Sequence, residues 1–108
     1  MTETELREAI IELAKRYGWR VYYIPDSRRA TDRGFPDLTL LNREQGRVIF
    51  AELKSAKGKL SKDQMMWLAG LQTSGAEVAV WRPEHLEKVI PRALQPRRRP
   101  KIEPVPPE

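Results

Sequence analysis

The sequence predicts an α/β domain with elements in the order α-β-β-β-α-β, and three observations point there. Apolar residues near the N-terminus recur at helical spacing; two β-type runs flank a short polar loop ending in glycine; a second helical stretch leads directly into another β-type run. A chain of 108 residues with a 40% hydrophobic fraction fits one folded domain. At that size it buries only about two-thirds of the surface its unfolded chain would expose, so its core is modest.

Taken in order, Leu6, Ile10, Leu13, Ala14 and Tyr17 recur every three or four residues and form one face of a helix from Glu3 to Tyr17. Thr2 is suited to cap it and Gly18 to stop it. Trp19 to Ile24, aromatic and β-branched and ending before Pro25, predicts a strand. The polar stretch 26–36 predicts a loop. Asp37–Leu41 and Arg47–Lys54, separated by Asn42-Arg43-Glu44-Gln45-Gly46, predict a hairpin. A basic loop, 55–59, follows. Ser61 opens a helix with Gln64, Trp67, Leu68 and Leu71 on one side, and Gly75 closes it. Glu77–Trp81 predicts another strand. Pro83–Leu94 predicts a last helix that Pro91 must end or kink. The domain is expected over residues 1–94. Residues 95–108, with five of the nine prolines plus Arg97, Arg98, Arg99 and Lys101, predict an extended, disordered basic tail.

Charge narrows the partners. Twenty Lys and Arg against fifteen Asp and Glu leave +5, with a pI near 9.8, which suits a polyanion. No apolar run approaches the roughly 20 residues that span a bilayer, and the acidic start Met-Thr-Glu-Thr-Glu is wrong for a signal peptide. With no cysteine there is neither a disulfide framework nor a thiolate metal site. A cytoplasmic, nucleic-acid-binding protein is expected, with no membrane partner and no small-molecule substrate.

The hairpin carries the chemistry. On a strand, residues i and i+2 share a face, so Glu52 and Lys54 point one way and Ala51 and Leu53 the other. A four-residue loop at 43–46 pairs Asn42 with Arg47 and, counting outward, Asp37 with Glu52, placing their Cβ atoms roughly 5 Å apart. Like charges so placed oppose folding, and a divalent cation resolves the conflict. Gly34 and Pro36 set an irregular approach that fixes the backbone at Asp37. Glu52-Leu53-Lys54 alone also fits a surface salt bridge worth ~0–1 kcal/mol; the combination with Pro36-Asp37 is far more specific.

Pro36-Asp37 followed by Glu52-Leu53-Lys54 resembles the PD-(D/E)XK nuclease superfamily. Gly34-Phe35-Pro36-Asp37-Leu38, Ala51-Glu52-Leu53-Lys54, Lys57-Gly58-Lys59-Leu60-Ser61, Gln64, Gly75-Ala76-Glu77-Val78 and Trp81-Arg82-Pro83 narrow this to the VRR-NUC group, the virus-type replication-repair nucleases, over residues 3–94. The resemblance implies the restriction-endonuclease-like αβββαβ core, a mixed sheet flanked by helices. It implies a Mg²⁺- or Mn²⁺-dependent endonuclease with Asp37, Glu52 and the Leu53 carbonyl as metal ligands and Lys54 as catalytic lysine. It also implies a stand-alone phage or bacterial homodimer cutting branched DNA such as four-way junctions. The alternative is a catalytically silent DNA-binding module of the same fold.

The family also uses a first-helix glutamate. Glu3 lies about 60° from Leu6 round the helix, closer to the inward stripe than Glu5 or Glu8, although a first-turn acid also complements the helix dipole. The family's glutamine falls on Gln64, which shares a face with Trp67 and Leu71; Ser61 and Gln64 equally form a capping box. Ser27, Arg28 and Arg29 either clamp phosphates or are solvated loop. Lys57 and Lys59 are expected to track the DNA backbone. His85 is expected to be structural or on the surface, and Tyr22, Tyr23, Trp67 and Trp81 to serve a core or dimer interface ahead of base stacking.

Overall fold

The computed structural model describes residues 1–24 and 31–96. The Ser27, Arg28 and Arg29 loop and the tail arginines Arg97 to Arg99 lie outside these residues. The elements are α1 (Glu3–Arg16), β1 (Arg20–Tyr22), β2 (Leu38–Asn42), β3 (Arg47–Leu53), α2 (Lys62–Thr73), β4 (Glu77–Trp81), a 3₁₀ turn (Pro83–His85) and α3 (Val89–Leu94). The strands lie in the order β1-β2-β3-β4. β1, β2 and β3 are antiparallel neighbours, and β4 runs parallel to β3. The sheet is mixed, in the expected order, because α2 returns the chain between two parallel strands.

α1 starts on a reciprocal cap: Thr2 Oγ1 accepts from the Glu5 N–H, and the Thr2 N–H donates to Glu5 Oε1 at 2.9 Å. Leu6, Ile10 and Ala14 then face the sheet and join Leu38, Leu40, Ile49, Ala51, Leu53, Trp81, Ile90 and Leu94 in one core. Full burial of each such Leu or Ile contributes roughly 1.5–3 kcal/mol. The other face bears Phe50, held edge-on by Phe35 at 5.8 Å; Phe35 in turn meets Trp67 of α2 at 5.1 Å. Among the described residues no helix is long and apolar enough to cross a membrane.

Two elements differ from expectation. β1 is shorter than Trp19–Ile24, because Trp19 turns out of the strand into the core. Its N–H meets the Ala14 carbonyl, and its Nε1 donates to the Leu94 carbonyl at 2.8 Å. The last helix is not continuous over 83–94: Pro83 opens a 3₁₀ turn, and Pro91 occupies the first turn of a separate α3. The missing proline N–H there would have had no intrahelical acceptor in any case.

What ties α3 down is a cluster at the far end of the sheet. Arg47 is buried; it forks onto both oxygens of Glu77 at 2.6 and 3.2 Å and donates to the Ala93 and Gln95 carbonyls. Its guanidinium also stacks on Trp19, 5.0 Å from the ring centre. Gln45 shares the Leu94 carbonyl with Trp19. The orphan carbonyls that end a helix are thereby satisfied by side chains from β3 and the hairpin loop.

Candidate active site

The hairpin register places Asn42 opposite Arg47 and Leu38 opposite Ala51, as the loop length requires. One step beyond the ladder, Asp37 meets the Glu52–Leu53 end of β3: its Oδ2 accepts the Leu53 N–H at 2.8 Å. That bond anchors Asp37 at the rim, where the residue is exposed, whereas Glu52 is only 2% exposed. The pair therefore consists of one carboxylate in water and one beneath it.

Glu52 is buried, and among the described residues its one donor comes from α2. Gln64 Nε2 donates to Glu52 Oε1 at 2.8 Å, while Gln64 Oε1 accepts the Ser61 N–H and the Gln64 N–H donates to Ser61 Oγ. One side chain thus caps the helix and holds Glu52, using both ends of its amide. Among the described residues Glu52 Oε2 is buried with no hydrogen-bond partner. Burial first, then the neighbouring Asp37 carboxylate, push the Glu52 carboxyl up to about 8 from an ordinary 4.5, with Lys54 pulling the other way.

Lys54 extends the strand geometry, its N–H donating to the Trp81 carbonyl at 3.0 Å, so that it follows Glu52 on the same face. The loop behind it is fixed by Arg82, a residue to which the sequence assigns no role of its own. Arg82 Nη1 donates to the Ser55 and Gly58 carbonyls at 2.8 and 2.7 Å. A Cβ on Gly58 would stand 3.4 Å from the Lys54 Cδ, so the lysine stem runs close over this loop. The sequence signal was the Trp81-Arg82-Pro83 run, which does not disclose the two carbonyls. His85 is structural, its Nδ1 accepting the Arg82 N–H at 2.9 Å.

Gly34 does more than shape the approach to Asp37. Its φ is +87°, and a Cβ there would lie 2.5 Å from the Asp63 carbonyl carbon and 2.7 Å from the Gln64 nitrogen. The Pro-Asp loop is therefore pressed against the first turn of α2, next to the glutamine that holds Glu52.

Glu3 is not brought to this pair. It is exposed in the first turn of α1, a helix that packs on the face of Leu38 and Ala51, while Asp37 and Glu52 point to the opposite face by strand alternation. Among the described residues no three His, Cys, Asp or Glu side chains come together as a metal cluster. Lys57 and Lys59 are both exposed on the loop after β3. Trp81 is core, Trp67 half-buried beside Phe35, and Tyr22 two-thirds exposed.

The site suits a hard cation on chemical grounds. It has a buried carboxylate oxygen with no partner among the described residues, a second carboxylate at the rim, and a lysine to balance an arriving anion. Two protein carboxylates with remaining positions open to water and phosphate match what Mg²⁺ or Mn²⁺ accepts.

The sequence model of the VRR-NUC domain matches residues 2–99. The Caenorhabditis elegans Fanconi-associated nuclease 1 homolog is 36% identical over 74 residues, 68% of this chain but 8% of that protein. Human Fanconi-associated nuclease 1 is 45% identical over 47 residues, 44% of this chain and 5% of the relative. The chain therefore spans less than a tenth of the length of these relatives. Among solved structures, a VRR_NUC domain superposes with TM-score 0.69 at 22% identity, covering 83% of this chain and 96% of that one. A VRR_NUC domain protein does so with TM-score 0.65 at 19% identity, covering 89% and 88%.

Proposed function

This chain belongs to the VRR-NUC domain family, and from that membership together with the Asp37–Glu52 pair we infer that it is a metal-dependent endonuclease hydrolysing DNA phosphodiester bonds, selective for branched DNA such as four-way junctions. The observation that carries the reading is the buried Glu52 oxygen that has no partner among the described residues, set beside Asp37. A carboxyl kept this costly to ionise has a use when a cation takes the place of its proton.

Asp37 and Glu52 would hold Mg²⁺ or Mn²⁺. In an extended strand a residue's N–H and C=O project to one side, so the Leu53 carbonyl shares the side on which its N–H meets Asp37 and would serve as a third ligand. The ion supplies polarisation of the phosphate and a water acidic enough to attack phosphorus. Gln64 fixes Glu52 by holding one of its oxygens. Lys54 neutralises charge building on the phosphoryl oxygens. Lys57 and Lys59 carry the strand's phosphates past the site, with Ser27, Arg28 and Arg29 as further phosphate contacts.

Resolving a junction takes two cuts, which two sites of a symmetric homodimer would supply. Leu41 and Val48, cross-strand partners that remain 48% and 36% exposed, offer apolar surface for that contact. A monomeric mass by light scattering at assay concentration would remove this part of the reading.

The reading is tested by incubating the protein with a labelled four-way junction in Mg²⁺ or Mn²⁺ beside Asp37→Ala. Cleavage that needs both the ion and Asp37 is expected. Binding without turnover at any protein concentration would replace the enzyme by a DNA-binding module of the same fold.

A further inference from the structure

β1 is an edge strand, and its end leaves a cleft between Tyr22, Tyr23 and Ile24 on one side and the 34–37 approach to β2 on the other. The cleft has a volume of about 70 Å³, room for the edge of one planar ring. Its rim gathers three large apolar side chains that folding leaves in water: Tyr22 is 66% exposed, Ile24 45% and Phe35 39%. Singly these would need no explanation; grouped around one concavity they mark a binding surface.

The register says how near this surface is to the chemistry. Tyr22 lies opposite Thr39, and Asp37 is two residues before Thr39 on the same face. Tyr22 and Asp37 are then diagonal neighbours, about 7–8 Å apart and within reach of an aromatic side chain. Asp37 itself lines the cleft. An occupant would therefore adjoin a phosphate held beside Asp37 through a divalent cation. In a DNA strand the flat, apolar-faced group attached next to a phosphate is the base. Two of the walls are already braced: Arg7 stacks on Tyr23 at 4.7 Å from the ring centre, and Phe35 is held by Phe50 and Trp67. Little order would have to be imposed on them when a ligand arrives.

We propose that this cleft takes an unpaired base of the DNA strand, the one adjoining the phosphate at Asp37, with Tyr22 as its stacking partner. The proposal rests on the nuclease reading and deepens it by assigning part of the selectivity for branched DNA. A base inside a duplex has both faces covered by its neighbours, and only one that has left the stack presents a face to Tyr22.

The test separates the two readings by using binding for one and turnover for the other. Affinities of the whole chain for a short oligothymidylate and for an abasic oligonucleotide of equal length and charge are measured by fluorescence anisotropy with Ca²⁺ in place of Mg²⁺ or Mn²⁺. One base stacked on an aromatic ring predicts roughly tenfold tighter binding of the oligothymidylate. Tyr22→Ala should abolish that preference and Tyr22→Phe retain it. The side chain is exposed on an edge strand, so a thermal melt should show both variants folded. Equal affinities for the two oligonucleotides, or a preference that survives Tyr22→Ala, would overturn the proposal. Junction cleavage run in parallel reports on the nuclease reading: Tyr22-dependent base preference without metal-dependent cutting keeps the cleft and loses the enzyme, and cutting without base preference does the reverse.

Discussion

Glu52 shows how one buried acid couples stability to acidity. Its folded pKa is raised to about 8, above the value of an exposed carboxyl, so between those two values the folded protein holds a proton that the unfolded chain has released. Stability therefore falls as pH rises through this window, by an amount on the order of a few kcal/mol once Glu52 is fully ionised. In EDTA, the melting temperature should drop between pH 5 and pH 8.5 more steeply in the wild type than in Glu52→Gln, and a parallel pair of curves would refute the assignment. Gln64 permits a companion measurement. Gln64→Glu retains an oxygen for the Ser61 N–H but replaces the donor to Glu52 with a third acid. Its destabilisation should be small near pH 5 and grow toward pH 8. The sequence made both roles of this residue visible as alternatives; that they coexist depends on an amide with one end on its own helix cap and the other on a strand, which only the packing of α2 reveals.

Among elements, the hairpin and α2 were legible because local rules govern them. The 43–46 loop sets the β2–β3 register, and the Ser61 and Gln64 cap sets the start of α2. The segment after β4 was not legible, because its form is decided by Arg47, Gln45 and Trp19, each more than forty residues away. Arg82 was missed for the same reason: its acceptors lie 24 and 27 residues back. Arg82→Ala leaves those half-buried carbonyls without their donor, at a cost of about 1–3 kcal/mol, and frees the loop beneath Lys54. We expect cleavage by the folded variant to fall roughly tenfold in kcat, with partial recovery in Arg82→Lys, which can reach one carbonyl. The Gly34 contact is the harsher case. Gly34→Ala imposes a positive φ on a residue with a Cβ, costing about 1–3 kcal/mol, and drives that Cβ into the Asp63–Gln64 backbone. A thermal melt should show a loss larger than strain alone explains, and wild-type stability would mean that the loop and helix do not touch.

Across the whole molecule, β3 links two sites of different purpose. Its C-terminal end presents Glu52 and the Leu53 N–H to Asp37; its N-terminal end presents Arg47 to Glu77 and α3. The net charge of +5 acts over the entire surface, so DNA affinity should fall with salt, and replacing exposed Lys57 or Lys59 should reduce the log–log slope by about one for each phosphate no longer neutralised. Arg47 makes the division of labour testable. Truncating it would remove the fork on Glu77, the donors to the Ala93 and Gln95 carbonyls and the stack on Trp19, and each part-buried carbonyl left without a donor costs about 1–3 kcal/mol. For a domain with a total stability of about 5–15 kcal/mol, that is a large share, and Arg47→Ala should melt at least 10 °C below the wild type, using the roughly 4–8 °C per kcal/mol typical of small domains. Yet Arg47 and Glu52 stand about 17 Å apart along the strand, with no shared hydrogen-bond partner among the described residues. Below its melting transition, the variant should cut DNA at the wild-type rate per folded molecule, as measured by cleavage assays normalised to the folded fraction from circular dichroism. A matching loss of intrinsic rate would show that the far cluster shapes the catalytic end through β3, and that the sheet does not keep fold and chemistry apart.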